Sequence, residues 1–290
     1  MDRTFTLLRP SWTTTRWGRL GALTVVAFGT LMLRAAPAAA QLSVEDLELR
    51  FVQAATTGSP RAPLAAKSFR INNTGDAPIQ ATITLADWDR SETGQNRYFP
   101  AGSQPESCAA SLSVYPMVIR LEPHSTEDVR VAIKDSSAVG IACHSILFVE
   151  TPPPPANTRG AALSYRLRYG VKVYVETDAP FAGDIVSSAL VSAPMTGAPG
   201  SGATRADSME IVYRNPGTRQ SLTSGEIEVR RPDNTVAARI PIAEFPVLPG
   251  ATRRLRVALP VLAAGRYVVL AMLEFGGEEV LAAQVEWDVP

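Results

Sequence analysis

"RLRYGVKVYVE", residues 166–176, is the stretch from which the fold is read. At a period of two, Leu167, Tyr169, Val171, Val173 and Val175 share one face. Arg166, Arg168, Gly170, Lys172, Tyr174 and Glu176 share the other. That is a β-strand with one apolar face. Lys172 stands on the polar face between a glycine and a tyrosine, so its ammonium is solvated, paired, or open to an anion.

The same pattern extends in both directions. DLELRFVQA (46–54), AAKSFRINN (65–73), IQATITLADWD (79–89), SLSVYPMVIRL (111–121), EDVRVAIK (127–134), CHSILFVET (143–151) and LSYRLRYGVKVYVET (163–177) are strand-like runs punctuated by Gly, Pro, Asn and Ser. Seven short strands in about 135 residues is the count of an immunoglobulin-like sandwich. Pro116 marks an edge or a bend in its run, and NNTGD (72–76) reads as a tight turn. DAPFAGD (178–184) breaks the pattern and SAPMTGAPGSGATRAD (192–207) reads as a loop. Six more strand-like runs then follow between 208 and 289. YRNPGT (213–218) echoes RINNTGD (70–76), each a strand running through Arg and Asn into a Gly turn. The expectation is an all-β chain of two tandem immunoglobulin-like β-sandwich domains, spanning 41–178 and 183–290.

The first forty residues read as an address. Arg3, Arg9, Arg16 and Arg19 form a positive leader, LGALTVVAFGTLML (20–33) is a short apolar run, and APAAA ends at Ala40 with the small residues a signal peptidase requires. Cleavage is expected before Gln41, giving an exported mature chain with no membrane span. An uncleaved anchor is the alternative, because Arg34 lies close to the cleavage point. Taking the leader's five arginines and one aspartate from the chain's 28 basic and 28 acidic residues leaves a net charge of about −4. Nucleic acid and anionic membranes are held by clustered positive charge, so this balance argues against both as main partners.

Cys108 and Cys143 are the two cysteines of an exported chain, and a disulfide is the simplest reading. A zinc site would need both of them and His144 to converge, at a spacing that matches no familiar ligand pattern. Catalysis is equally poorly provided for, with only His124 and His144 as candidate bases. His124 falls in the turn LEPHSTED and His144 at a strand start, where solvated or partly packed imidazoles are expected. Asp87 and Asp89 read as turn caps, and ETPPPPANT (150–158) as a stiff connection. No phosphate loop or metalloprotease motif occurs. Neither an enzyme nor a cofactor is expected.

Three stretches carry a resemblance to the PapD-like periplasmic pilus-assembly chaperones: FRINNTGDAPIQATITLADW (69–88), LSVYPMVIRLEPHSTEDVRV (112–131) and SYRLRYGVKVYVE (164–176). The resemblance covers most of 42–178. It implies a periplasmic protein that captures exported pilin-like subunits by strand addition from its 163–175 strand, with an outer-membrane usher as a further partner. The donor side chains would be Leu163, Tyr165 and Leu167. Setting the family's K-L-F-Y pattern on Lys172-Val173-Tyr174-Val175 makes Lys172 one half of the basic pair that anchors a client carboxylate, and Arg50 in LELRF the other. The chain departs from the family where Glu176 and Thr177 replace an arginine–proline, and its second half matches no family motif. The alternative is a structural tandem immunoglobulin-like protein of a periplasmic or surface assembly, in which Lys172 pairs with an acid such as Glu48. The chaperone reading leaves Arg50 and Lys172 without a full internal counter-charge, facing a cleft between the domains.

Overall fold

The computed structural model describes residues 41–55, 63–134, 142–152, 166–194 and 205–290. The leader, Leu163, Tyr165 and most of the Pro-rich stretch lie outside these residues. In the first half the strands are β1 (Leu42–Val44), β2 (Glu48–Gln53), β3 (Lys67–Asn73), β4 (Ile79–Arg90), β5 (Asn96–Pro100), β6 (Leu112–Tyr115), β7 (Val118–Leu121), β8 (Thr126–Ile133), β9 (Cys143–Glu150) and β10 (Arg168–Thr177). They form two facing sheets, β1-β3-β8-β6 and β2-β10-β9-β4-β5, with β7 pairing to β4. The apolar face read from the sequence does what it requires. Val171, Val173 and Val175 are fully buried, in one core with Phe51, Phe69, Ile71, Leu147 and Val129.

The second half contributes β11 (Asp184–Pro194), β12 (Arg205–Arg214), β13 (Ser221–Arg230), β14 (Val236–Val247), β15 (Thr252–Ala258), β16 (Gly265–Glu274) and β17 (Val280–Val289). These make sheets β11-β12-β15 and β14-β13-β16-β17 around a second core that includes Ile211, Tyr213, Ile227, Val269 and Trp287. The fold is two tandem β-sandwiches. Pro241 and Pro246 sit in β14, an edge strand, where a missing N–H costs no ladder bond.

The echo between the halves has a structural cause. Asn73 accepts from Gly75 N–H and donates to the carbonyls of Ala77 and Leu121. Asn215 accepts from Gly217 N–H and donates to the carbonyls of Arg219 and Val247. Each is a buried amide that closes its own turn and ties it to a distant strand end, so each sandwich needs Asn at that place.

Four features differ from the sequence reading. The run 111–121 divides at the cis Tyr115–Pro116 bond into β6 and β7, which belong to different sheets. β1 has three residues, too few to show a period, and β5 (NRYFP) is an exposed edge without alternation. β11 was unread because a register shift between Ile185 and Ser187 interrupts its period of two and leaves Val186 exposed.

Cys108 and Cys143 are joined, with Cα atoms 5.3 Å apart. The bridge fixes a one-turn 3-10 helix, Ala109–Ser111, against the start of β9. Asp87 is buried and accepts from Ser103 N–H, Gln104 N–H and the Ser107 hydroxyl, so it holds the loop before Cys108. Asp89 forms two bonds with Arg97 across the β4–β5 hairpin. Both aspartates serve turns.

Candidate functional site

The polar face of β10 is the outer face of the first sandwich's larger sheet, and the second half covers part of it. Leu248, in the turn after β14, packs with Trp88, Ile146, Phe148 and Tyr174 in a third, small core. Tyr174 and Glu176 are therefore almost fully buried, although they alternate with the inward-facing valines. Period two correctly separated the two faces. It was blind to the second sandwich arriving on the polar one.

Arg50 and Lys172 are brought together on this face, on neighbouring parallel strands, with Lys172 opposite Glu48 and Tyr174 opposite Arg50. They do not lack counter-charge, and here the structure departs from the expectation. Arg50 Nη2 lies 2.8 Å from Glu48 Oε2, and Arg50 Nη1 lies 3.0 Å from Glu176 Oε1. Lys172 Nζ lies 3.7 Å from Glu48 Oε1 and 5.0 Å from the Trp88 ring centroid. The physical reason is that the parallel register sets two acids, Glu48 and Glu176, within reach of two bases.

The electrostatics follow from this crowding. Burial pulls Lys172 below the usual lysine range; Glu48 opposes that, while Arg90 and Arg50 reinforce it. Burial also pulls on Arg50, but the hydrogen bond and charge of Glu48 and the charge of Glu176 outweigh it and hold Arg50 above its ordinary value. The Tyr174 phenol is raised, first by burial and then by Glu48.

Glu176 is the residue the sequence undervalued. Besides Arg50 it accepts the backbone N–H of Gln220 at 2.8 Å, and Gln220 Oε1 accepts from Arg50 at 2.8 Å. Thr177 meets Thr218 hydroxyl to hydroxyl. The two positions that depart from the family pattern thus fasten the first sandwich to the second. The connecting segment is tied as well: Ala55 N–H donates to Asp178 Oδ1, Asp178 N–H to the Gln53 carbonyl, and Arg219 lies over the Phe181 ring at 3.9 Å.

The donor edge is only partly within the described residues. Leu163 and Tyr165 lie outside them. Leu167 precedes β10, half-buried against the first core; its carbonyl accepts from Thr151 N–H and its own N–H donates to the Thr151 hydroxyl. From Arg168 to Val171, β10 pairs with β9 alone. β2 joins only at Lys172, whose N–H donates to the Leu47 carbonyl. Because main-chain groups alternate sides, Arg168 and Gly170 turn their N–H and C=O away from β9. Among the described residues no strand pairs with them there. Gly170 packs closely, since a Cβ there would stand 2.8 Å from Ile146 Cδ1, which would have to shift. Arg168 covers Phe148 at 3.6 Å and, with Arg166, pairs with Glu150.

The histidines divide. His124 is exposed in its turn and meets Asp76 at 2.9 Å. His144 is buried rather than at the surface, edge-on to Trp88 with ring centroids 5.5 Å apart, because Trp88 and the second sandwich close over the start of β9. Burial drives its pKa below the ordinary histidine value, against the opposing pull of the Trp88 carbonyl and of Glu106. Among the described residues no cluster of three or more His, Cys, Asp or Glu is set to hold a metal, and no helix is long and apolar enough to cross a membrane.

No protein-family model and no curated protein matches the chain. Among solved structures it is similar to the class 5 fimbriae chaperone CfaA, at 12% identity over 86% of this chain and 99% of that one, TM-score 0.46. It is similar to a chain of a chaperone–tip adhesin complex of CFA/I fimbriae, at 11% over 84% and 98%, TM-score 0.48. It is similar also to the E. coli chaperone DraB, at 13% over 86% and 96%, TM-score 0.38. The likeness is one of fold.

Proposed function

We propose that this chain is a periplasmic, chaperone-like binding protein that captures exported pilin-like subunits by adding a client strand along β10 and hands them to an outer-membrane usher. In this reading 41–178 is the client-binding domain and 183–290 the second, and the donor set runs through Leu163, Tyr165 and Leu167. The observation that carries it is the side of Arg168–Val171 turned away from β9, with which no strand among the described residues pairs. Unpaired main-chain groups on a sheet edge recruit another strand, and half-buried Leu167 and Tyr169 offer it alternate apolar contacts.

The same geometry sets where a client strand ends. β2 occupies the edge from Lys172 onward, so an added strand stops there and its terminus abuts Glu48, Lys172 and Arg50. A carboxylate at that terminus requires the strand to run parallel to β10, as β2 does. It would replace Glu48 at Lys172, the longest ion pair of the group at 3.7 Å, and Arg50 would keep Glu176.

The structural-protein reading draws on one observation, the Lys172–Glu48 pair that it expects. Two variants separate the readings. Arg168→Pro removes an outward N–H from an edge, and Lys172→Ala removes the anchor while Arg50 and Glu48 keep each other. In periplasmic extracts, co-purified exported subunits should fall sharply in both, by about a hundredfold for Lys172→Ala, whose thermal midpoint should stay close to wild type, while Arg168→Pro also loses its contacts with Phe148 and Glu150. A lowered midpoint in Lys172→Ala with unchanged co-purified proteins would reject the anchor and favour the structural reading.

A further inference from the structure

The seam between the sandwiches holds a cavity of about 320 Å³ away from the β10 edge, lined by Trp88, Arg90, Arg97 and His144 on one side and by Leu248–Thr252 on the other. Its polar groups are unevenly satisfied. The Trp88 indole N–H and the Arg90 Nε–H, both on lining residues, are buried with no hydrogen-bond acceptor, as is the Nε–H of Arg253, the next residue after the lining segment. All three are donors. Each leaves an acceptor unsupplied by the protein, which costs free energy unless a bound group supplies it.

The charges point the same way. Asp89 is taken up by Arg97 and Glu92 by Arg254, and Glu106 is exposed at the rim. Among the described residues neither Arg90 nor Arg253 has a carboxylate within ion-pair distance. Arg90 lies over the Trp88 ring at 5.8 Å, and Arg253 has one long hydrogen bond, 3.5 Å, to the Glu92 carbonyl and lies 5.9 Å from the Phe245 ring centroid. The two guanidiniums come from different sandwiches, Arg90 at the end of β4 and Arg253 in β15. They are close enough that Arg90, after burial, depresses the pKa of Arg253. The Arg253 guanidinium lies against the backbone of Gly94, where a Cβ would fall 1.7 Å from its Nη1.

We infer that Arg90 and Arg253, with the Trp88 indole N–H, form an oxyanion site between the sandwiches, taking a carboxylate or phosphate that joins the two domains. The site adjoins the Arg50–Lys172 group, since Lys172 and Arg90 both lie over the Trp88 ring, but its donors are different ones and Arg50 and Lys172 have their own acids; it does not depend on the chaperone reading. The oxyanion could be a free ion or the terminus of a bound chain, and the probes tell these apart. Thermal midpoint and calorimetric binding are measured at constant ionic strength with inorganic phosphate, with N-acetylvaline as a chain-terminus mimic, and with N-acetylvalinamide as its neutral counterpart. The expected result is saturable stabilisation by phosphate, by N-acetylvaline, or by both, with none from the amide. Binding should weaken by about tenfold or more in Arg90→Gln and in Arg253→Gln, and stay unchanged in Arg120→Gln, a remote exposed arginine. Saturation by phosphate marks a free anion, and saturation by N-acetylvaline alone marks a chain terminus. The proposal is overturned if neither anion gives saturable binding, or if binding persists in both cleft variants.

Discussion

Glu176→Ala should uncouple the two sandwiches. The Glu176 carboxylate is buried and serves both sides of the seam, taking Arg50 from the first sandwich and the Gln220 N–H from the second. Truncation leaves the buried Gln220 N–H without its acceptor, a loss of about 1–3 kcal/mol. Arg50 fares better. It is about one-third exposed and retains Glu48 and Gln220 Oε1, so its share is below about 1 kcal/mol. The sum is about 1–4 kcal/mol. Glu176→Gln keeps an acceptor but no charge, and should cost about 1 kcal/mol. The assay is urea unfolding followed by fluorescence in a Trp287→Phe background, where Trp88, under Leu248, is the remaining tryptophan of residues 41–290. In Glu176→Ala the Trp88 emission should shift to the red before the main transition, as the second sandwich lifts away. An unfolding free energy within about 0.5 kcal/mol of wild type, with one unshifted transition, would refute the reasoning.

Two further predictions concern the first sandwich. Replacing Cys108 and Cys143 by serine opens a loop with a sequence separation of 35 and should lower stability by about 3–4 kcal/mol on the chain-entropy account, read as a lower urea midpoint. His144 should make stability depend on pH. Its folded pKa is depressed by burial, so the unfolded chain binds the proton first; the contribution is complete above the unfolded value of 6.5 and is lost as pH falls below it. Stability should therefore drop as pH falls below about 7, by at most about 1.4 kcal/mol per pH unit from this group, and His144→Gln should flatten that slope in urea titrations at fixed salt.

The sequence by itself determined the class of structure. Alternation is local, since whether Val171, Val173 and Val175 share a face depends on backbone geometry alone, and a face of β-branched residues has nowhere to go but a core. The cysteine pair and the Asn–Gly turns were legible for the same reason, as each residue type has few stable settings. Tertiary structure decided what the polar face means. Lys172 and Arg50 read as cations, but the parallel register of β2 on β10 set Glu48 and Glu176 beside them, and pairing between segments more than a hundred residues apart leaves no periodic trace. Trp88, Tyr174 and Glu176 became buried because Leu248 and Gln220 of the second sandwich arrive over them. Arg90 and Arg253 lie far apart in sequence, unremarkable singly. Only the meeting of the two sandwiches sets Arg253 near Arg90, beside the cavity that Arg90 lines, because charge interactions depend on distance in space and not along the chain.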